Sequence, residues 1–422
     1  MFNLYIDDMK NIFDTTCEPI IIQDIKLNHI LYADDLLLMS YTKEGLQRSI
    51  DKLETFAEQK HITISHEKSK TMIFNKTGRL IKESFKANHI ELEYVRNFCY
   101  LGYDINAAGS LTNTINTFAD KATKAMRPIL NVIAKFNLPV KMSIKLFHAY
   151  ISPIILYNVE NWATMINKSL LNFSTDTFMT TVNDNKATII HRKFLKYILG
   201  ISRSCPNLTA MGETNETPLM IKGYRLMLKY WHRVTSLSNE TLAKKALLEN
   251  ISMNTNWICT IEKLIGLFNL TNYMDRINTF NTYAKKNAQQ IYKNWWKNNI
   301  NTGTSRLEFY NTIKDDLKFE EYLNISDFQI RKAITKIRCS DHVLEIEKGR
   351  HRKIPRAERL CKFCNKNTIE TEVHFLTECD YYDDIKRMQG TNITLLNLFY
   401  KNNLEKLGKF IIYALEKRTT GY

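Results

Sequence analysis

The sequence predicts an α+β protein with three parts in order: short antiparallel strands with helices, a mostly helical stretch, and a small metal-binding module. Short apolar runs on both sides of an aspartate pair predict the strands within residues 1–110. The scarcity of glycine (13) and proline (7) among 422 residues favours helices with few long loops in the remainder. Three cysteines and a histidine between residues 361 and 379 predict the module.

Charge and cysteine content narrow the classes of function. The net charge of +15 favours a polyanionic partner, foremost nucleic acid, and a generic basic surface is the alternative. No apolar run reaches the roughly 18 residues of a membrane span, and the amino terminus lacks the features of a signal peptide. Clustering of three of the 8 cysteines indicates a reducing, intracellular compartment and a metal site rather than a disulfide framework.

The central feature of the strand-containing part is Tyr32-Ala33-Asp34-Asp35, which lies between two short apolar runs. This pattern predicts two strands joined by a tight polar turn. Because adjacent carboxylates repel each other and resist burial, a divalent cation that prefers oxygen ligands, such as Mg²⁺, would stabilise them. The alternative is a surface hairpin without function, although Asp-Asp is a poor two-residue turn beside Asn-Gly.

An amphipathic helix is predicted next, over residues 43–59, with Thr42 as its N-cap. A hairpin follows whose polar turn carries Lys68 and Lys70, and a solvated turn is the alternative reading of both lysines. The predicted strands of this hairpin are residues 61–64 and 71–74.

A further aromatic strand is predicted to end at Tyr100-Leu101-Gly102, where the glycine would let another backbone approach closely. Strand signals fade after this point. Apolar residues at helical spacing predict helices over residues 112–135, with a kink or break at Pro128, over 139–162, and over 186–200, with Gly200 as the C′ residue.

The second strong motif is Cys361-x2-Cys364-x9-His374-x4-Cys379. Three sulfurs and one imidazole predict a closed, tetrahedral Zn²⁺ site with a structural role. The alternative is a redox-active Cys-x-x-Cys pair, but the βαβ context of that motif is missing.

A basic run over residues 331–359 directly precedes this motif. A solvated surface is the usual reading of such a run, but its position beside a metal motif favours contact with phosphates. The predicted contacts to a nucleic-acid backbone are Arg350, Arg352, Lys353 and Arg356.

Taken in this order, the motifs resemble those of a reverse transcriptase of the non-LTR (LINE-like) retrotransposon branch. The Asp34–Asp35 hairpin resembles motif C, the lysine-bearing segment resembles motif D, and residues 95–102 resemble the primer grip. The resemblance implies nucleotide or primer contacts at Tyr32, Lys68, Lys70, Tyr100, Leu101 and Gly102. It divides the chain into a partial palm (1–110), a helical thumb (111–170), a helical connector (171–330) and a basic zinc-binding module (331–422).

The resemblance implies RNA-templated DNA synthesis by two-metal phosphoryl transfer, with catalytic Asp34 and Asp35 as Mg²⁺ ligands. RNA template and DNA primer are then the partners, and the nucleus is the implied location. A polymerase palm needs a further aspartate on an earlier strand, which no residue here matches. We therefore expect an amino-terminally truncated chain that is catalytically incomplete. The alternative is a non-catalytic, zinc-containing nucleic-acid-binding protein derived from such an element.

Overall fold

The computed structural model describes residues 2–75, 81, 83–164, 174–275, 277–301, 305–388 and 395–420. Helices dominate and the strands are short, which confirms the predicted α+β class. In the described part of the chain, no helix is both long and apolar enough to cross a membrane. The predicted boundary at residue 170 lies outside the described residues, and the division into four domains remains a prediction.

The strands of the described chain form five separate two-stranded ladders rather than one continuous sheet. Four ladders are antiparallel (β1–β2, β3–β4, β6–β7 and β9–β10), and β5–β8 is parallel. The strands are β1 (Ile20–Ile22), β2 (Ile25–Leu27), β3 (His29–Tyr32), β4 (Asp35–Leu38), β5 (Lys70–Thr71), β6 (Lys86–Ala87), β7 (Ile90–Glu91), β8 (Glu93–Tyr94), β9 (Asn97–Tyr100) and β10 (Tyr103–Asn106).

Most of the remaining described chain is α-helical. The helices before residue 240 are α1 (Phe2–Tyr5), α2 (Lys43–Gln59), α3 (Thr112–Lys135), α4 (Val140–Leu146), α5 (Ser152–Ile155), α6 (Val159–Trp162), α7 (Thr175–Asp184), α8 (Lys186–Leu199), α9 (Asn207–Thr214) and α10 (Leu219–Thr235). Those after it are α11 (Leu242–Ser252), α12 (Asn256–Leu267), α13 (Ile277–Asn301), α14 (Glu308–Ile313), α15 (Phe328–Arg338), α16 (Glu345–His351), α17 (Asp383–Met388), α18 (Leu395–Leu398) and α19 (Leu404–Thr420). Two π-helical turns are present among the described residues, Phe147–Ile151 and His374–Glu378.

The chain divides into two compact units, each built from three segments. Unit 1 comprises Met1–Thr117, Asn158–Lys168 and Met227–Lys263, and it contains β1 to β10. Unit 2 comprises Phe118–Tyr157, Ser169–Leu226 and Leu264–Tyr422, and its described elements are helical apart from one isolated β-bridge.

Helix α2 organises the apolar core of unit 1. Its bounds and its cap match the prediction, since the Thr42 hydroxyl accepts a hydrogen bond of 3.0 Å from the amide of Gly45. Ile50 belongs to one buried apolar cluster and Phe56 to a second. One helix thus contributes to both clusters, because apolar side chains recur at helical spacing along it.

The predicted hairpin between residues 61–64 and 71–74 is wrong. Residues 61–64 form no strand, and β5 contains only Lys70 and Thr71. Strand β5 pairs in parallel with β8, so that Lys70 lies opposite Glu93. A partner so far along the chain leaves no local signal in the sequence.

Two predicted helices of the central region are present, with one difference. Helix α8 ends as predicted at Gly200, whose left-handed φ of 69° suits glycine. Helix α3 continues through Pro128, where the sequence predicted a kink or break. A proline removes one backbone donor, and the rest of the helix retains its own hydrogen bonds.

Helices α15 and α19 pack closely in unit 2. A Cβ atom at Gly408 of α19 would overlap the side chain of Ile330 of α15, so this crossing requires a residue without a side chain. Ile330, Ile334 and Ile337 on α15 and Leu407, Phe410 and Ile411 on α19 are buried.

Candidate functional site

The aspartate pair lies at the tip of the β3–β4 hairpin. Tyr32 pairs with Asp35, so Ala33 and Asp34 form a two-residue loop and Asp35 is the first residue of β4. Ala33 has a φ of 53°, as the first loop position of a tight hairpin requires. The two strands and their polar turn therefore confirm the predicted local structure, and both aspartates are exposed rather than buried.

Strand β4 fixes this tip to helix α2. Leu36 packs against the apolar cluster that contains Phe56, and Leu38 packs against the cluster that contains Ile50. These two leucines point to the same side of the strand, because side chains alternate along it. The apolar end of the hairpin is thus held by the core, while Asp34 and Asp35 extend into solvent.

The aspartate pair provides only part of a Mg²⁺ site within the described chain. Its oxygens are of the type that Mg²⁺ prefers. Among the described residues, however, Asp34 and Asp35 belong to no group of three or more histidine, cysteine, aspartate or glutamate ligands. Because a two-metal centre needs more protein oxygens than one exposed pair supplies, these residues alone do not complete it.

The predicted primer-contacting residues lie in the β9–β10 hairpin. Leu101 and Gly102 are its loop, with φ values of 49° and 79°, which is the signature of a type I′ turn. The Tyr100 hydroxyl is buried without a hydrogen-bond partner in the described chain. Burial, followed by the negative charge of Asp35, raises the pKa of Tyr100, so the structure brings Tyr100 within electrostatic range of that aspartate.

The remaining predicted nucleotide contacts differ in their availability. Tyr32 is 64% exposed beside the aspartates, and Lys68 is exposed in a turn. Lys70 is engaged already, since its Nζ lies 2.6 Å from a carboxylate oxygen of Glu93 and donates to the carbonyl of Glu67. Two of the three N–H donors of Lys70 are therefore in use, which leaves this lysine less available to a nucleotide than Lys68.

The three cysteines and the histidine of the carboxyl-terminal motif converge in unit 2. Their ligand atoms all lie within 4.8 Å of one another. Cys361 Sγ and Cys379 Sγ are 3.9 Å apart, and Cys364 Sγ is 3.5 Å from His374 Nε2. A tetrahedral Zn²⁺ with ordinary bond lengths separates two sulfurs by about 3.8 Å and a sulfur from a nitrogen by about 3.5 Å. The residues therefore fit Zn²⁺ and leave no position for a substrate.

Local backbone geometry explains why the x4 spacing works. The amide of Cys379 donates to the carbonyl of His374 at 2.8 Å, which closes a π-helical turn and places both ligands on one side. Cys361 begins a turn closed by its own amide, which donates to the carbonyl of Thr368 at 2.9 Å. The hydrogen bond between the two thiols lowers the pKa of Cys361 and raises the pKa of Cys379, so Cys361 is the first of the two to become a thiolate.

Side chains that sequence reasoning missed hold these ligands in place. Nδ1 of His374 lies 3.2 Å from the Thr368 hydroxyl, which orients Nε2 toward the sulfurs. Arg418 of α19 forms an ion pair with buried Glu370, and a Glu370 oxygen lies 3.8 Å from Cys361 Sγ. No spacing rule connects Arg418 with the motif, because it lies on a helix much later in the chain.

The predicted phosphate-binding residues fall into two pairs. Arg350 is paired with Glu347 at 2.9 Å and Arg356 with Glu308 at 2.6 Å. Arg352 and Lys353 are exposed, and no ion pair of theirs occurs among the described residues. Other members of the basic run bind backbone or carboxylate oxygens of the protein: buried Arg331 and Arg338, and partly exposed Arg359. The run is therefore not one continuous phosphate-binding surface.

Comparison with known proteins concerns the part of the chain that carries the two hairpins. No curated protein matches the sequence significantly. Residues 1–105 match the family profile described as reverse transcriptase (RNA-dependent DNA polymerase). Residues 1–105 of this chain, with Asp34–Asp35 and Tyr100–Gly102 among them, are thus similar to reverse transcriptases.

Proposed function

We propose that the chain is part of the RNA-directed DNA polymerase of a non-LTR retrotransposon and binds RNA and DNA. The exposed Tyr32–Asp35 hairpin inside the reverse transcriptase match carries this proposal. Tyr100 within electrostatic range of Asp35, and a Cys₃His cluster after the helical region, support it. By the same resemblance, the proposed location is the nucleus.

We propose further that this 422-residue chain by itself does not synthesise DNA. Two-metal phosphoryl transfer needs carboxylates that hold both ions and fix their geometry. The described residues offer Asp34 and Asp35 at an exposed tip without a third ligand side chain beside them. The proposed role of the two aspartates is to contribute part of a Mg²⁺ site.

Primer extension tests this proposal. The purified chain, given a primed RNA template, the four deoxynucleoside triphosphates and either Mg²⁺ or Mn²⁺, should incorporate no nucleotide above background. The variants Asp34→Asn and Asp315→Asn complete the experiment, since Asp315 belongs to a second aspartate pair outside the hairpin. Template-dependent incorporation that Asp34→Asn abolishes and Asp315→Asn retains would show that the chain is an active polymerase.

A second function from another class is a non-catalytic, zinc-containing nucleic-acid-binding protein. The Cys₃His cluster favours it, because four protein ligands leave no open position and give the metal a structural role. Exposed Arg352 and Lys353 near that cluster in the sequence supply charge for phosphates. Nucleic-acid binding without primer extension is the outcome expected for this function.

Salt dependence of binding identifies the residues that touch phosphates. Each phosphate contact releases counterions, so the slope of log affinity against log salt should fall by about one unit for every such contact that a variant removes. We expect Arg352→Gln/Lys353→Gln to reduce the slope by up to about two units. Arg350→Gln/Arg356→Gln should change it less, because both arginines are already paired with carboxylates.

The titration uses structured RNA and an unrelated DNA duplex, with wild type and the two double variants compared. Similar affinities for both ligands are expected, since backbone contacts carry no sequence information. Equal slopes in all three proteins would mean that Arg352 and Lys353 are only a solvated surface. A preference of roughly a thousandfold for one nucleotide sequence would mean that other residues of the protein make base-specific contacts.

A further inference from the structure

A second cluster of metal-ligand side chains lies in unit 2, away from the cysteines in sequence. His148 is in the π-helical turn Phe147–Ile151, His191 is on α8, and Glu216 is in the connection between α9 and α10. Their ligand atoms lie within 4.8 Å of one another. These three residues are tens of positions apart in the sequence, so no motif with a fixed spacing predicts that they form a cluster.

Burial of His191 sets the cluster apart from an ordinary surface ion pair, while His148 and Glu216 are partly exposed. His191 is fully buried, and neither of its ring nitrogens makes a hydrogen bond within the described chain. Its Nε2 nevertheless faces Glu216, at 3.3 Å from Oε2. Nε2 and Oε2 are at ion-pair distance but lack hydrogen-bond geometry, an arrangement that suits two ligands of one metal ion.

We propose that His148, His191 and Glu216 bind a divalent transition-metal ion of the Zn²⁺ type. Two imidazoles and a carboxylate suit Zn²⁺ or Co²⁺ and do not suit Mg²⁺, which prefers oxygen ligands alone. A tetrahedral Zn²⁺ separates a ligating nitrogen from a ligating oxygen by about 3.4 Å. The 3.3 Å between His191 and Glu216 matches this value. His148 is now 2.8 Å from the same oxygen, so it needs to move outward by about 0.6 Å to reach this separation.

The surroundings fix His191 and leave His148 adjustable. The ring of Phe147 stacks on His191 with centroids 4.8 Å apart, which holds the imidazole plane toward Glu216. His148 is one-third exposed, so its side chain has room for the small shift. The two π-helical turns among the described residues each carry a histidine of a ligand cluster, His148 in one and His374 in the other. π-Helical turns are rare in proteins, and those that occur are often found at functional sites.

The donor set also defines what the ion binds besides protein. Three protein ligands leave one position of a tetrahedron for water or a small anionic group. Lys222 lies within electrostatic range of Glu216 and donates to the Ser152 hydroxyl at 3.2 Å. Its positive charge favours a water molecule or an anion in the fourth position over a further cation.

Metal content of the 422-residue chain tests the proposal. Wild type loaded with Zn²⁺ and freed of excess metal should contain two equivalents, one for each cluster. His148→Asn and Glu216→Gln should each contain one, while the control His89→Asn, at an exposed histidine outside both clusters, keeps two. When Co²⁺ replaces Zn²⁺, the ion at the cysteine cluster should show thiolate charge-transfer absorption and the ion at the His148–His191–Glu216 cluster should not. His148→Asn should therefore lose one equivalent of Co²⁺ without losing this absorption.

Several outcomes overturn the proposal. One equivalent in wild type, or two equivalents in both His148→Asn and Glu216→Gln, would mean that the three residues form only a hydrogen-bonded ion pair. Circular dichroism of each variant checks folding, and the more exposed His148 keeps the test valid where replacement of Glu216 unfolds the chain. Cys364→Ser should retain one equivalent of metal, bound at the His148–His191–Glu216 cluster and lacking thiolate absorption. Loss of all metal in that variant would also overturn the proposal.

Discussion

Replacing Cys364 with serine is expected to abolish metal binding at the Cys361–Cys364–His374–Cys379 cluster and to unfold the surrounding segment. A serine hydroxyl is a poor substitute for a thiolate ligand of Zn²⁺. In zinc-finger peptides the metal-binding free energy, about 10–16 kcal/mol, is also the free energy of folding. The removal of one ligand should therefore cost more stability here than the removal of one apolar side chain from the core.

Unfolding should remain local, because the cluster joins two short turns. Residues 360 and 369 form an isolated bridge on one side, and the π-helical turn His374–Glu378 forms the other. Helix α15 lies largely within the predicted module of residues 331–422, and its Arg338 pairs with buried Glu213 far from the cluster in sequence. We therefore expect residues 355–382, rather than all of 331–422, to lose their structure.

Zinc content and hydrogen–deuterium exchange of the purified chain measure this effect. Peptides from residues 355–382 should exchange faster in Cys364→Ser, and peptides from α2 should exchange as in wild type. Cys259→Ser is the matched control, since Cys259 is also a partly exposed thiol but lies outside the cluster. Wild-type zinc content and exchange in Cys364→Ser would contradict the proposed site.

Glu213→Gln is expected to lower the free energy of unfolding by about 3–5 kcal/mol, because it removes one partner of a buried ion pair. Glu213 and Arg338 are almost completely inaccessible. Arg338 Nε lies 2.7 Å from Oε2 of Glu213, and the Tyr322 hydroxyl donates to the same oxygen at 2.6 Å. Glu320 would then have to compensate both Arg338 and Lys314, so part of this positive charge would be left unpaired in a region that water hardly reaches.

Urea denaturation of wild type and Glu213→Gln tests this prediction at neutral pH. Glu308→Gln is the control, since it breaks the exposed pair with Arg356 and should cost less than about 1 kcal/mol. The double variant Glu213→Gln/Arg338→Met should recover part of the stability, because it leaves no buried charge unpaired. Equal stability of wild type and Glu213→Gln would show that this pair does not stabilise the fold.

The same pair predicts a pH dependence. Burial opposes the charge of Glu213, but Arg338 and Lys314 outweigh it and hold the pKa of Glu213 below its usual value of 4.5. A carboxylate with a lowered pKa in the folded state stabilises the fold above its unfolded pKa and loses this contribution in acid. The stability difference between wild type and Glu213→Gln should therefore be constant above pH 4.5 and narrow below it. A difference that widens in acid would contradict this assignment.

Local patterns in the sequence were sufficient for several elements. The amphipathic period and the Thr42 cap predicted α2 with its observed bounds, and Gly200 marked the end of α8. The aspartate pair between apolar runs predicted the β3–β4 hairpin. In each case the decisive interactions, such as caps and hairpin hydrogen bonds, join residues close together in the chain.

Interactions between distant segments were not predictable in this way. Strand β5 pairs with β8, and the hairpin predicted for it does not form. The charge pattern places Arg338 in a basic run, but its partner Glu213 precedes it by 125 residues and draws it into the core. Composition registers a positive charge and carries no information about whether that charge faces solvent or a buried carboxylate.

The α+β class, the aspartate hairpin and the four ligands of the cysteine cluster followed from the amino-acid sequence, because turn length and ligand spacing are local geometry. Tertiary packing, in contrast, determines which charges remain available and where distant ligands meet. Arg352 and Lys353 stay exposed while Arg350 and Arg356 are paired, and His148, His191 and Glu216 converge from separate elements. The physical reason is that burial and electrostatic pairing depend on which surfaces pack together, and packing joins segments that no local pattern relates.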